Sequence, residues 1–211
     1  QSTLLRARLR ALATYPRKAA PAGWIPFPVV SLNLSGTNLK QPGFCDRIMA
    51  ALQDYGLLPE MIALELLEST LVDRGSEVVV QNLLRLDELG FRIMLDDFGT
   101  GFASLTHLMK LPVHSIKIDK SFVQSAVFDG PGEKIVSAIL TLAKELGMQA
   151  IAEGIETEQQ LNYLVHKGCH YGQGYFFKPP IPMRTFDVYL RGGLFEPHRN
   201  MAASESRIAA T

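Results

Sequence analysis

The composition of this 211-residue chain is that of an ordinary globular protein, with 47% hydrophobic and 20% charged residues. These values exclude the disordered and fibrous classes, and the length allows one core or two small ones. The net charge is zero, yet the acidic and basic residues are unevenly distributed. No acidic residue precedes Asp46, whereas the basic residues before it are Arg6, Arg8, Arg10, Arg17, Lys18 and Lys40.

No stretch approaches the roughly 20 consecutive apolar residues of a membrane-spanning helix. Cys45 and Cys169 lie too far apart for a C-x-x-C motif, so we expect a cytoplasmic, reduced protein with two small buried thiols. His166 and His170 have the i, i+4 spacing of a zinc-binding helix. Because Gly168 interrupts the helical pattern between them, we do not expect these two residues to bind zinc.

The first 28 residues predict a basic helix followed by a Pro-rich connector. Leu5, Leu9 and Leu12 repeat at helical spacing among arginines, and Pro16 ends the pattern. An organellar transit peptide and a phosphate-binding arm are the alternatives. At the other end, the stretch 191–211 is rich in small residues and predicts a flexible tail.

Between these ends, predicted strands and helices alternate. Apolar runs predict strands at 29–34, 62–66, 91–95, 115–119, 148–152 and 171–175. Helical periodicity predicts helices at 43–55, 75–89, 102–109, 133–146 and 159–167. This alternation indicates a parallel α/β architecture.

Nearly every predicted strand ends in a polar residue that a hydrophobic core would not select. These residues are Asn33, Glu65, Asp96, Lys117, Glu153 and Gln173. In a (β/α)₈ barrel all strands direct their carboxyl ends to one face, whereas an open doubly wound sheet gathers only those near its switch point. The barrel explains all six positions, and no G-x-G-x-x-G motif supports a dinucleotide-binding sheet.

Two adjacent carboxylates, Asp96 and Asp97, close the third predicted strand before Gly99 and Gly101 turn the chain. Burying such a pair requires a cation beside it. The alternative is that Asp97 caps the next helix while Asp96 faces solvent. The other strand ends decide between these interpretations.

The strand-end residues have the chemistry of a hard-metal site. Four carboxylates and the Asn33 amide oxygen suit Mg²⁺ or Mn²⁺, and the adjacent aspartates can hold two ions near a phosphodiester. Lys117 adds a fixed cation for the phosphate or the hydroxide, and Glu153 is placed to take the proton of the attacking water. The residues therefore predict metal-assisted phosphoester hydrolysis.

Six segments also resemble successive motifs of the EAL domain family, the cyclic di-GMP phosphodiesterases. They are SLNLSG, LELLEST, LDDFGTGFASL, SIKIDKSFV, AEGIETEQQ and QGYFFKPP. The resemblance covers about 29–190 and implies a TIM-like barrel that opens cyclic di-GMP to linear pGpG with two Mg²⁺ or Mn²⁺ ions. It further implies a homodimer and a sensory domain in the parent protein, and we expect neither DNA nor a membrane as partner.

The resemblance also implies a set of metal ligands. Asn33, Glu65 and Asp96 would bind metal, and Asp97 would reach the second metal. The alternative bottom-up interpretation is a different metal-dependent barrel that acts on another phosphodiester.

Further roles follow from the same resemblance. Lys117 would orient the nucleophilic water, and Glu153 would be the general base or a ligand beside it. Glu68 would hold the loop after Asp97, Glu156 would belong to the metal-side network, and Gln173 would lie near the second metal. Without the family, Glu68 and Glu156 fit solvated helix starts equally well.

One feature of the family is missing from the chain. The Glu-Ala-Leu triplet, which should lie on a strand well before Asn33, is absent, so about six of eight barrel strands are recognisable. The open edges would need cover from upstream sequence, a second copy or the N-terminal segment. Loss of a metal-binding glutamate predicts impaired hydrolysis, and the alternative function is a catalytically degenerate module that binds cyclic di-GMP or dimerises.

Overall fold

A computed structural model describes residues 29–72, 77–101, 108–126, 131–182, 185 and 209–210. The chain divides into two compact units, Gln1–Asp96 with Gly101–His114 and Asp97–Thr100 with Ser115–Thr211. The predicted N-terminal basic helix and connector, most of the predicted helix at 102–109 and most of the predicted tail lie outside the described residues. These three expectations therefore stay predictions.

The first unit contains parallel strands paired in chain order. They are β1 (Val30–Leu34), β2 (Ile62–Leu67) and β3 (Arg92–Phe98), whose last two residues belong to the second unit. Within the described residues of this unit, the helices are α1 (Gly36–Leu39), α2 (Phe44–Asp54), α3 (Ser69–Val72) and α4 (Glu77–Glu88), and a 3₁₀ turn occupies Pro59–Met61. Five of the six residues of β2 are buried, which is typical of a parallel strand covered on both faces.

The second unit continues the same alternation. Its parallel strands are β4 (Ser115–Ile118), β5 (Gln149–Ala152), β6 (Tyr171–Gly172) and β7 (Ala209–Ala210), again paired in chain order. Its helices are α5 (Lys120–Ser125), α6 (Pro131–Glu145) and α7 (Glu158–His166). Helix α7 begins in a capping box, in which Thr157 and Gln160 satisfy each other's backbone N–H groups.

Most predicted strands and helices are present within a few residues of their expected bounds, and two strands differ. β3 extends through both carboxylates instead of ending at Leu95. β6 has two residues instead of the predicted five, because a turn begins at Gly174, whose carbonyl oxygen accepts the Phe177 N–H. A Cβ on Gly174 would lie 2.1 Å from the carbonyl oxygen of Ile155.

Two histidines begin strands in the same way. The His114 backbone N–H donates to the Ile93 carbonyl oxygen at 2.9 Å, while the His114 Nδ1 accepts the Ile93 N–H at 3.1 Å. His170 makes the same pair of bonds with Ala150, at 3.2 and 3.1 Å. The imidazole thus extends the strand pairing by one residue at both positions.

The remaining observations concern the thiols, the C-terminal end and the membrane. Cys45 and Cys169 are free and buried, as predicted, and burial raises the pKa of Cys169 to about 11. Ala209–Ala210, two residues of the predicted tail, pair with β6.

Among the helices within the described ranges, none has the length and apolar character to cross a membrane.

Candidate active site

In the first unit, the strand register aligns three of the predicted metal ligands. Asn33 pairs with Glu65, and Glu65 pairs with Met94, which lies two residues before Asp96. Residues in register on parallel strands, like residues two apart on one strand, direct their side chains to the same face. Asn33, Glu65 and Asp96 therefore share a face, with Asn33 exposed, Asp96 half-buried and Glu65 buried.

Glu68, just after β2, is tied to the loop that follows Asp97. Its side chain is buried, and its Oε2 accepts the Gly101 backbone N–H at 3.0 Å. Its own backbone N–H donates to the Asp96 carbonyl oxygen at 3.3 Å. A Cβ on Gly101 would lie 2.9 Å from the Glu68 Cδ, so this close approach requires glycine. Glu68 is thus not a solvated helix start.

In the second unit, Lys117, Glu153 and Gln173 form one hydrogen-bonded cluster. The Lys117 Nζ lies 2.5 Å from Glu153 Oε1, and the Gln173 Nε2 donates to the same oxygen at 2.7 Å. The strand register explains why these three side chains lie close together, because Ile151 of β5 pairs with both Lys117 and Tyr171. Glu153 and Gln173 each follow their paired residue by two positions and therefore occupy the same face as Lys117.

Asp97 joins this cluster from the end of β3. One of its carboxylate oxygens lies within 4.8 Å of an oxygen of Glu153. Its backbone adopts φ +52°, in the left-handed region that aspartate tolerates better than most residues. The Thr100 hydroxyl donates to the Asp97 carbonyl oxygen at 2.8 Å and closes the turn.

Asp119, for which the sequence predicts no functional role, interacts with Asp97. It is the N-cap of α5, and its Oδ1 accepts the Ser121 backbone N–H at 2.9 Å and the Ser121 hydroxyl. Burial opposes ionisation of Asp119, but bonds from Ser121 and from the Asp97 carboxyl, together with Lys120, hold its pKa below the usual value. Its position two residues after Lys117 places it on the same side of the strand as Lys117, and this spacing could have indicated a role at the site.

The donor set of the second unit fits a hard divalent cation. A carboxylate oxygen of Asp97 lies within 4.8 Å of one of Glu153, and the Asp97 carboxyl group also interacts with that of Asp119 and helps to lower the Asp119 pKa. Carboxylates at such distances need either a shared proton or a cation. Oxygen ligands of this kind suit Mg²⁺, Mn²⁺ and related hard ions.

Glu156 lies on the surface, three residues after Glu153 in the chain. Its Oε1 accepts a hydrogen bond from Gln124 of α5 at 3.0 Å, and its backbone N–H donates to the Gln160 side chain at 2.7 Å. The side chain is exposed. A place in the metal-side network stays a prediction for this residue.

Comparison with known sequences adds a family match. The family model described as the EAL domain matches residues 2–180, so the match begins well before Val29. The chain is 37% identical over 163 residues to the signaling protein YkoW of Bacillus subtilis and 35% identical over 167 residues to the cyclic di-GMP phosphodiesterase NbdA of Pseudomonas aeruginosa. These alignments cover 76% and 79% of this chain but 20% and 21% of the relatives. The chain thus spans about a fifth of their length.

Solved structures with the same fold cover most of the chain. The EAL domain of Mycobacterium smegmatis DcpA matches with a TM-score of 0.79 and 31% identity, over 90% of this chain and 83% of that one. The PaMucR phosphodiesterase in its c-di-GMP complex matches with a TM-score of 0.77 and 32% identity, over 88% of this chain and 74% of that one. These matches confirm the predicted TIM-like α/β fold.

Proposed function

The chain belongs to the EAL domain family, and from this premise we propose that it is a metal-dependent phosphodiesterase domain that hydrolyses cyclic di-GMP to linear pGpG. The observation that carries the proposal is the Lys117–Glu153–Gln173 cluster with Asp97 beside it. A buried lysine, an acceptor for a proton and clustered carboxylates are the groups that metal-assisted phosphodiester hydrolysis requires. The names of relatives such as NbdA support the choice of substrate.

Two Mg²⁺ or Mn²⁺ ions, when bound, would supply Lewis acidity and neutralise charge on the phosphodiester. We propose that Asn33, Glu65 and Asp96 hold metal and that Asp97 reaches the second ion. Gln173 would lie near that second ion. Glu68 would keep the loop after Asp97 in place through its bond to Gly101.

Side chains of the protein accept the proton of the attacking water and orient the accepting carboxylate. Glu153 is the group that takes the proton, and the Lys117 ammonium lies against the Oε1 atom of the same carboxylate. Lys117 and Gln173 both bind Glu153 Oε1, which fixes the orientation of the carboxylate. The water oxygen bonds to phosphorus, the P–O3′ bond breaks, and the departing 3′ oxygen takes up a proton to give linear pGpG.

Incubation of the chain with cyclic di-GMP and Mg²⁺ or Mn²⁺, followed by chromatography of the nucleotides, tests this proposal. We expect pGpG to form, and the Glu153→Gln variant to be slower by about 100-fold or more because it cannot accept the proton. Gln173 can still donate to the amide oxygen of this variant. Absence of pGpG with the wild-type chain, at saturating metal and substrate, would refute the proposed hydrolysis.

A second candidate is a catalytically degenerate module that binds cyclic di-GMP or dimerises. The absence of a Glu-Ala-Leu triplet from these 211 residues favours it, because the family takes a metal-binding glutamate from that triplet. Titration calorimetry separates the candidates. Saturable binding without turnover supports the module, whereas turnover supports the enzyme.

The assembly and location are also proposals. We propose a cytoplasmic homodimer that works together with a sensory domain of the parent protein, as the resemblance to the family implies. Light scattering on the purified chain tests the dimer, and a monomer at micromolar concentration would contradict it.

A further inference from the structure

Leu67 ends β2 on the face that carries the predicted metal ligands. It follows Glu65 by two residues and pairs in register with Asp96, so its side chain shares their face. Leu67 is 49% exposed, whereas Ala63 and Glu65, which precede it on the same face, are buried. A large apolar side chain is therefore presented at the carboxyl end of the strand, among polar groups.

The backbone on both sides of Leu67 is fixed. Leu66 is fully buried, and the Glu68 N–H donates to the Asp96 carbonyl oxygen. The buried Glu68 side chain is also bonded to Gly101. The Leu67 side chain consequently projects from a rigid position, so a ligand that covers it meets a preformed surface.

The proposed substrate has two chemically different parts. Its phosphodiesters match the cationic and metal-binding groups, while its two guanine bases present flat faces that are poorly matched by carboxylates. We propose that Leu67 packs against one guanine base of the cyclic dinucleotide and so positions the substrate. This inference rests on the function proposed above, because it concerns the substrate of the same site.

The experiment compares Leu67→Ala with Leu58→Ala. Leu58 is exposed to almost the same extent, 48%, but it precedes the amino end of β2, away from the carboxyl end where Leu67 lies. We expect Leu67→Ala to raise the KM for cyclic di-GMP about tenfold with kcat changed less than twofold. Leu67→Met should restore most of the loss, and Leu58→Ala should leave both constants unchanged.

Two further measurements separate a substrate contact from a structural role. The Mn²⁺ affinity from calorimetry and the melting temperature should be the same for Leu67→Ala and the wild type. A KM unchanged in Leu67→Ala, or one raised equally in Leu58→Ala, would overturn the inference while leaving the proposed function intact. If the wild-type chain binds cyclic di-GMP without turnover, the same comparison is made with Kd in place of KM. If it neither binds nor hydrolyses cyclic di-GMP, both the inference about Leu67 and the proposed function are overturned.

Discussion

Replacing Lys117 with Met would leave the Glu153 carboxylate without its closest cation. The two charged atoms lie 2.5 Å apart, and the side chains are only 7% and 16% exposed. Removing one partner of such a buried pair typically costs about 3–5 kcal/mol. Because Gln173 would still donate to Glu153, we expect the lower end, about 3 kcal/mol. At about 2–4 °C per kcal/mol for a chain of this size, the melting temperature should fall by about 6–12 °C.

The assay is urea and thermal unfolding in the absence of divalent metal, for Lys117→Met, Glu153→Gln and the double variant. The double variant has neither charge, so it should be about 1–2 kcal/mol more stable than the sum of the single effects predicts. Adding Mn²⁺ should return part of the stability of Lys117→Met, because the ion binds the folded state. Melting of Lys117→Met within about 2 °C of the wild type, or strict additivity of the two substitutions, would refute this account of the pair.

Three other predictions follow from described contacts. His170→Ala should lower the free energy of unfolding in urea by about 1–3 kcal/mol, because the buried Ala150 N–H loses its acceptor. The free energy of unfolding should fall less in His170→Asn, and an equal fall in the two variants would contradict this reasoning. Ser121→Ala should weaken Mn²⁺ binding in calorimetry about tenfold by releasing the carboxylate it orients, whereas Ser125→Ala, which removes a hydroxyl bonded to backbone, should not. The Cys169 thiol, whose pKa burial raises to about 11, should react with a disulfide reagent at pH 8 far more slowly in the native protein than in urea, and similar rates would show an accessible thiol.

The sequence predicts part of the site because strand ends follow a simple rule. Asn33 and Glu65 interrupt apolar runs near their ends, and parallel strands then bring such positions into register. The same reasoning places Lys117 in β4 and Glu153 directly after the neighbouring strand β5. For these four residues, the apolar pattern together with a parallel arrangement of strands is enough.

Other features depend on tertiary contacts that periodicity cannot reveal. Asp119 has the sequence pattern of a helix cap, with Ser121 two residues later, and only its bond to Asp97 distinguishes it from an ordinary cap. The turn after β6 is held to Ile155, whose backbone N–H donates to the Gln173 carbonyl oxygen and whose carbonyl oxygen accepts the Phe176 N–H. Neither contact has a signature in the spacing of apolar residues.

The left-handed backbone of Asp97 brings a cost in stability at a residue that we propose to reach a metal ion. Glycine would adopt this conformation without the penalty of about 1–2 kcal/mol that a side chain brings, but it would offer no oxygen to a cation. Replacing Asp97 with glycine should therefore stabilise the fold while removing one carboxylate from the proposed metal site.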